Sequence, residues 1–343
     1  MDYLDILLER LSCAIGIGYA GDVSKVIEGI LNEEKVPVSV EKDGSVTAHL
    51  EGNGTGAVML ACHADEIGFI VSRIDDAGRI YFSEIGGADV RILPGQEVTV
   101  LGRKRYTGYV AVKPPHLVGK EEREVVPRSE NLFIDIGLAP ATVKRNVHLG
   151  DYICFAGRYG KMPDDLRTGK SLDNRASVAC GLAVLRELVK AVPGPDVYFV
   201  ATSQEEYTGL GARIHAFRLP VDYAIVVDVT HGEHPDLKEH DYFPLNKGPA
   251  IVRGATVPVR LFGLLLDTAK SLEIPYQIQP VPSGTATDAD DIAFAREGIP
   301  TCVVNIPLRY MHTPVEIVSL KDIEYAVQLI VQVIKRVSLS DVR

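Results

Sequence analysis

Hydrophobic and polar positions divide the chain into three stretches. In residues 1–66 and 162–343, short apolar runs alternate with segments whose apolar residues return every three or four positions, which indicates strands alternating with helices. Residues 67–161 instead contain short segments of alternating polarity separated by Gly, Pro and Asp, which is typical of a small all-β barrel. The pattern therefore predicts an α/β domain interrupted by an inserted barrel domain.

The individual elements follow from the same periodicities. The strands predicted in the α/β domain are 38–41, 46–50, 57–62, 197–202, 223–227, 276–280 and 301–306. The helices predicted there are an N-terminal helix, one ending near residue 32, and 176–190, 210–218, 256–272, 288–297 and 320–337. The strands predicted in the barrel are 68–74, 79–84, 97–101, 105–112, 132–137 and 151–155, with a charged, solvated loop at 119–124.

Composition excludes several classes of protein. The 343 residues carry a net charge of -10, which argues against a nucleic-acid partner because phosphate binding needs a basic face. We expect no membrane segment, since no apolar run approaches the ~20 residues needed to span a bilayer. The acidic, amphipathic N-terminus differs from a signal peptide. Five scattered cysteines without CxxC spacing predict reduced thiols and a cytoplasmic protein.

Polar side chains follow three of the predicted apolar strands. They are His63 and Asp65 after 57–62, Glu205 and Glu206 after 197–202, and Asp228 after 223–227. Open α/β sheets place their chemistry at the carboxyl ends of the strands, so we expect these side chains to share one edge. Carboxylates are costly to bury there unless a cation or hydrogen-bond donors offset the loss of water.

Two further residues complete a candidate metal set. Asp173 precedes a helix, where it is either an ordinary N-cap or a carboxylate that bridges two cations. His312 follows a short strand and is otherwise a loop histidine, while His231 and His234 are weaker competing ligands. Nitrogen and oxygen donors of these types suit paired divalent metals, so the residues indicate a two-metal hydrolase.

Several ordered sequence blocks resemble one known family, the M42 metallo-aminopeptidases, which include the tetrahedral, glutamyl and deblocking aminopeptidases. The resemblance covers nearly the whole chain. Its blocks are 63–69 (HADEIGF), 113–116 (KPPH), 132–137 (LFIDIG), 172–175 (LDNR), 204–206 (QEE), Asp228, 247–250 (KGPA) and 306–316 (IPLRYMHTPVE). Segments 207–212 and 284–290 depart from the family pattern, which concerns substrate specificity and leaves the metal set intact.

The resemblance implies a mixed-sheet, di-zinc exopeptidase-like domain with two divalent ions, zinc being favoured and cobalt the alternative. One ion would be held by His63, Asp173 and Asp228, and the other by Asp173, Glu206 and His312. Glu205 would be the general base, and Asp65 would support His63. Relatives aim the bridging carboxylate with a cis peptide, so we expect the Asp173–Asn174 bond to be cis.

The resemblance also implies partners. The substrate would be a peptide, and the inserted barrel would be a dimerisation domain whose dimers assemble into a hollow dodecamer.

Three other functions compete with this one. Some relatives carry an endoglucanase label, but a glycosidase needs two carboxyls facing each other across the bond, and sequence neighbours such as Glu205 and Glu206 do not straddle a sugar that way. A complete ligand set argues against a non-catalytic scaffold. A deacylase or other amidohydrolase using the same metals stays open as the alternative to an aminopeptidase.

Overall fold

The computed structural model describes residues 3–54, 56–117, 119, 125–190, 194–235, 237–238 and 241–337. Its helices, α1 to α8 in chain order, are Tyr3–Ser12, Val23–Glu33, Pro140–Asn146, Leu172–Val189, Leu210–Arg218, Val259–Ser271, Asp288–Ala293 and Leu320–Arg336. Short 3-10 turns occur at Val90–Ile92, Pro115–Leu117 and Ser129–Asn131. Residues 120–124 of the predicted solvated loop lie outside the described residues.

The strands form one large sheet, one closed barrel and one small ribbon. In chain order, β1 to β19 are Gly16–Ile17, Ala20–Gly21, Val38–Val40, Val46–Leu50, Ala57–His63, Gly68–Ile74, Ile80–Ile85, Glu97–Leu101, Arg105–Ala111, Phe133–Asp135, Tyr152–Phe155, Gly160–Lys161, Leu166–Gly169, Asp196–Thr202, Tyr223–His231, Ala250–Gly254, Gln277–Val281, Thr301–Arg309 and Glu316–Ser319. The α/β architecture with an inserted barrel is therefore confirmed.

The large sheet has eleven strands, nine of them in the order β12-β13-β19-β18-β15-β5-β14-β4-β3, with β16 and β17 branching from β18. Its centre is parallel, because β5 pairs in parallel with both β14 and β15, and β15 with β18. Every residue of β5 is buried, as expected for a central strand covered on both faces. Helix α4 packs on β5 and β15, and α7 packs on β15 and β18.

The closed barrel has the strand order β10-β7-β6-β11-β8-β9 and its own apolar core. Phe69 contacts Phe82 and Phe155 edge-on within that core. The prediction of an all-β insertion misses α3, a seven-residue helix that begins with Pro140 and buries Val143 in the barrel core. A helix this short shows too few turns for its period to be recognised in the sequence.

The barrel contacts the N-terminal part of the α/β domain through a small apolar cluster and an ion pair. Ile15 and Ile17 pack with Cys154 of the barrel, and Arg105 donates to Asp22 across 2.7 Å. Strand Gly160–Lys161 pairs with Leu166–Gly169 of the large sheet, so the chain returns to that sheet before residue 161. Within the described residues, no helix combines the length and apolar character needed to cross a membrane.

Candidate metal centre

The polar residues at or near the strand ends lie along one edge of the large sheet. Strand β15 continues to His231, so Asp228 lies within this strand and not after it as predicted. His63, the last residue of β5, is in register with Thr202, the last residue of β14, and Ala61 is in register with Val226 of β15. Because the three strands are parallel, the segments that follow them emerge side by side. The sheet thereby brings the first five candidate residues to a common edge.

Asp173 enters this edge from the start of α4 without acting as a helix cap. Its backbone is non-helical, with φ -79° and ψ 101°, and the Asp173–Asn174 peptide is cis, as predicted. One carboxylate oxygen, Oδ1, lies 3.2 Å from Nε2 of His63, and the other, Oδ2, lies 3.5 Å from Nε2 of His312. A single carboxylate therefore faces two histidines, with one oxygen toward each.

The spacing of the donor atoms is that of ligands around shared cations. Nε2 of His63 lies 3.7 Å from Oδ1 of Asp228, and Nε2 of His312 lies 3.4 Å from Oε2 of Glu206. Ligands on a tetrahedral zinc with bonds of ~2.0–2.1 Å lie about 3.3 Å apart. Charge-assisted hydrogen bonds are shorter, about 2.7–2.9 Å. One donor atom each from His63, Asp173 and Glu206 also lies within 4.8 Å of the others.

Asp65 positions the loop that carries the two glutamates. Its Oδ1 accepts the backbone N–H of Glu205 at 3.0 Å, and its Oδ2 accepts that of Glu206 at 3.2 Å. Nδ1 of His63 lies 3.5 Å from Asp65, at the outer limit of a hydrogen bond. The better-made contacts of Asp65 are therefore those with the glutamate loop.

Glu316 and Gly87 also support the site, although the sequence pattern assigns neither of them a role. Buried Glu316 accepts the backbone N–H of Asp173 at 3.0 Å and that of His312 at 2.9 Å. The carbonyl of Gly87, in the barrel, lies 3.1 Å from Nδ1 of His312. An acidic residue beginning the buried strand Glu316–Ser319 was a usable signal for Glu316, whereas nothing in the sequence pointed to Gly87.

The electrostatics of the cluster favour bound cations. Burial, reinforced by the Asp173 carboxylate, raises the pKa of Glu206 to about 9, and burial raises the pKa of Asp228 well above its usual value. Burial alone would lower the pKa of His63, but Glu205 and the other carboxylates outweigh it and raise that pKa. Several buried carboxyl groups thus disfavour one another's ionisation. Divalent cations bound by these oxygen and nitrogen donors would offset that repulsion.

The cluster opens into a cavity of about 570 Å³. His231, one of the competing histidines, is an exposed lining residue of this cavity. His234 packs edge-on against Tyr310 at a ring distance of 6.0 Å. The carboxylates of Asp173 and Glu206 lie 3.5 Å and 3.4 Å from Nε2 of His312, which makes His312 the better-placed second histidine.

Comparison with known proteins agrees with this site. A sequence model of the M42 glutamyl aminopeptidase family matches residues 44–329. A lysyl aminopeptidase from Pyrococcus furiosus is 31% identical over 316 residues, covering 90% of this chain and 89% of the relative. A TET aminopeptidase from a marine-sediment Thaumarchaeota archaeon superposes with a TM-score of 0.93 at 31% identity, covering 99% of this chain and 98% of that one.

A further structural relative bears on assembly. The TET1 peptidase of Pyrococcus horikoshii, which can assemble into a tetrahedron or a large octahedral shell, superposes with a TM-score of 0.83 at 26% identity. The match covers 97% of this chain and all of that one. With a family match that spans most of its length and a full set of candidate metal donors, this chain belongs to the M42 glutamyl aminopeptidase family and is a metal-dependent aminopeptidase that hydrolyses peptide bonds.

Proposed function

We propose that this aminopeptidase uses two divalent cations that share Asp173. His63 and Asp228 would complete one cation site, and Glu206 and His312 the other. The proposal rests on the orientation of the Asp173 carboxylate, each oxygen of which faces a different histidine. Its Oδ1 lies 3.2 Å from His63, and its Oδ2 lies 3.5 Å from His312. An ordinary helix N-cap would direct its oxygen to the backbone N–H groups of its own helix instead.

Each protein group then has a distinct task in hydrolysis. The bound cations would lower the pKa of a water and polarise the scissile carbonyl. Glu205, whose Oε2 lies 3.9 Å from Nε2 of His63, accepts the proton of that water and passes it to the leaving amine. Asp65 holds the backbone of both glutamates and so fixes the direction in which Glu205 points.

The metal identity, assembly and location belong to the same proposal. Zinc is the favoured ion because histidine and carboxylate donors suit it, with cobalt as the alternative. We propose that the barrel pairs subunits and that the dimers form a dodecamer, which the shell-forming Pyrococcus horikoshii relative supports. Five free cysteines support a cytoplasmic location.

The test is a substrate panel measured with the metal removed and restored. Aminoacyl p-nitroanilides with acidic, neutral and basic side chains are compared with their N-acetylated counterparts, after chelation and after addition of zinc or cobalt. We expect metal-dependent hydrolysis of the free-amine substrates only. Hydrolysis of the N-acetyl substrates instead would identify a deacylase, and activity that survives complete metal removal would exclude the two-cation site.

A further inference from the structure

Two cavities flank the glutamate pair. The metal-side cavity, of about 570 Å³, contains the candidate ligands His63, Asp173, Asp228 and His312. The outer cavity, of about 400 Å³, is lined by the segment after the glutamates and by Arg213 and Asp288. Both cavities share Glu205, Glu206, Thr287 and Asp291.

The proposed aminopeptidase mechanism, on which this inference rests, orients a peptide across the two cavities. Glu205 must reach the leaving amine, so the scissile bond lies beside it. The N-terminal residue then occupies the metal-side cavity, and the remainder of the peptide occupies the outer cavity. The one or two residues that follow the scissile bond in a short peptide span at most about 7 Å when extended. A dipeptide or tripeptide would therefore end inside the outer cavity.

Arg213 offers a carboxylate-binding group in that cavity. It lies on helix Leu210–Arg218, and its Nε donates to Oδ1 of Asp291 at 2.9 Å. Its two Nη groups have no hydrogen-bond partner in the part of the chain that the structure describes, and 64% of the side chain is exposed. Asp291 thus holds the guanidinium through Nε and leaves the two Nη groups open. These two groups can bind a carboxylate through two parallel hydrogen bonds.

Because acids lie near Arg213, this side chain should determine whether an anionic group binds in the outer cavity. Among the described residues that line either cavity, Arg213 is the sole Lys or Arg side chain, whereas Glu205, Glu206, Asp288 and Asp291 are all acids. The other residues that line the outer cavity are acids or neutral groups such as Tyr207 and Thr208, so Arg213 is the described side chain there that can attract a peptide carboxylate. Without the arginine, the cavity should prefer an uncharged peptide end.

We propose that Arg213 binds the C-terminal carboxylate of dipeptide and tripeptide substrates, so that the enzyme favours short peptides with a free C-terminus. The substrate class is therefore set at both ends. The metal-side cavity would bind the amine end of the substrate, and the Nη groups of Arg213 would bind the carboxylate end.

The test compares each short peptide with its C-terminal amide. The substrates are X-Ala and X-Ala-amide, where X is the N-terminal residue that the p-nitroanilide panel identifies as the most rapidly cleaved. The measured quantity is the ratio of kcat/KM for the free acid to that for the amide, because a general loss of activity cancels in this ratio. We expect a wild-type ratio of about ten, which is the preference that one charge-assisted bidentate contact would give.

Three variants decide the assignment. Arg213→Met should lower the ratio to one or below, and Arg213→Lys, which keeps the charge but not the fork, should give an intermediate value. Arg218→Met is the matched control, since Arg218 lies on the same helix and pairs with Glu41 at 3.0 Å, outside both cavities. A wild-type ratio near one, or a ratio unchanged in Arg213→Met, overturns the carboxylate site. Absence of hydrolysis for every free-amine substrate would instead refute the proposed function.

Discussion

The backbone carbonyl of Gly87 accepts a hydrogen bond from Nδ1 of His312 over 3.1 Å, and this bond links the barrel to the candidate metal centre. With its proton on Nδ1, the imidazole directs the lone pair of Nε2 toward Asp173 and Glu206. Ile85, two residues before Gly87, packs against the apolar cluster that joins the two domains. The inserted domain therefore contributes directly to the orientation of a proposed ligand.

Replacing Gly87 by alanine should weaken metal binding. A Cβ at Gly87 would lie 3.0 Å from Nδ1 of His312 and 3.3 Å from its Cε1, so either the ring or the barrel loop must move. The variant keeps the backbone carbonyl, so it weakens rather than removes a hydrogen bond whose complete loss lowers metal affinity by about 10–100-fold, and the expected loss is near the lower end of that range. We expect a loss in that range for one of two cations, measured by calorimetric titration of the metal-free protein with zinc.

The matched control is Gly263→Ala on helix Val259–Ser271. A Cβ there meets no described atom within 4 Å, and alanine is favoured in a helix, so metal affinity should stay at the wild-type value. Wild-type affinity for both cations in Gly87→Ala would mean that the barrel does not position His312.

The barrel should also be required for assembly. It exposes the apolar side chains of Tyr109, Val126 and Leu149, which are 53%, 48% and 68% accessible and which a second subunit would cover. We expect light scattering of the intact protein to give a dodecamer. Replacing residues 67–156 with a short linker should abolish dimers, while circular dichroism still reports a folded α/β domain because the two cores are separate. A stable monomer from the intact chain would refute this assembly.

Asp5 should contribute to stability in a pH-dependent way. Burial alone would raise the pKa of Asp5, but hydrogen bonds from Arg167, Lys161 and Tyr159 outweigh it and hold that pKa well below its usual range. A carboxyl whose folded pKa is depressed stabilises the protein above its unfolded pKa of about 3.9, and this stabilisation is lost as the pH falls toward the folded value. Asp5→Asn should cost about 3 kcal/mol at pH 7, because it leaves buried Arg167 without its charged partner.

The measurement is the free energy of unfolding in denaturant at pH 7 and at pH 3. The difference between wild type and Asp5→Asn should shrink at the lower pH, while effects of metal loss are common to both proteins. Asp76→Asn is the control, since Asp76 pairs with Lys144 at 2.7 Å but is fully exposed, and exposed pairs contribute little. A difference that grows as the pH falls would contradict the role of this ion pair.

Long, strongly patterned elements were predictable from the sequence. Helix Leu320–Arg336 and strands Val46–Leu50 and Glu97–Leu101 lie within one residue of the predicted bounds, because each carries a clear hydrophobic period. The strand-end histidine and carboxylates were also predictable, since charged residues directly after apolar strands stand out. The pairing of those strands then brought them together.

Short strands and backbone contributions were not predictable. Leu166–Gly169 and Glu316–Ser319 have four residues each and are held by pairing with each other, which no local pattern reveals. The same limit applies to the support of the site. A backbone carbonyl such as that of Gly87 leaves no mark in its own side chain, and its role depends on a histidine more than 200 residues away.

Glu205 and Glu206 should have different roles that metal content and rate can separate. Glu206 lies 3.4 Å from Nε2 of His312, among the candidate ligands, whereas Glu205 lies 3.9 Å from Nε2 of His63. Glu205→Gln keeps the shape and removes the base, so its metal content should stay near wild type while kcat falls by roughly 10²–10⁴. Glu206→Gln removes a charged ligand, so one cation should be lost or weakened, and excess metal should partly restore activity.

Elemental analysis of each variant, combined with hydrolysis rates over a range of zinc concentrations, distinguishes the two roles. A base variant has a low kcat that added metal does not change, because the missing group is the proton acceptor. A ligand variant has a rate that rises with metal, because the missing group affects occupancy. If Glu205→Gln lost metal while Glu206→Gln kept its full metal content, Glu205 would be the ligand and Glu206 the general base. Full activity in both variants would place the chemistry elsewhere and remove the basis for the two-cation site.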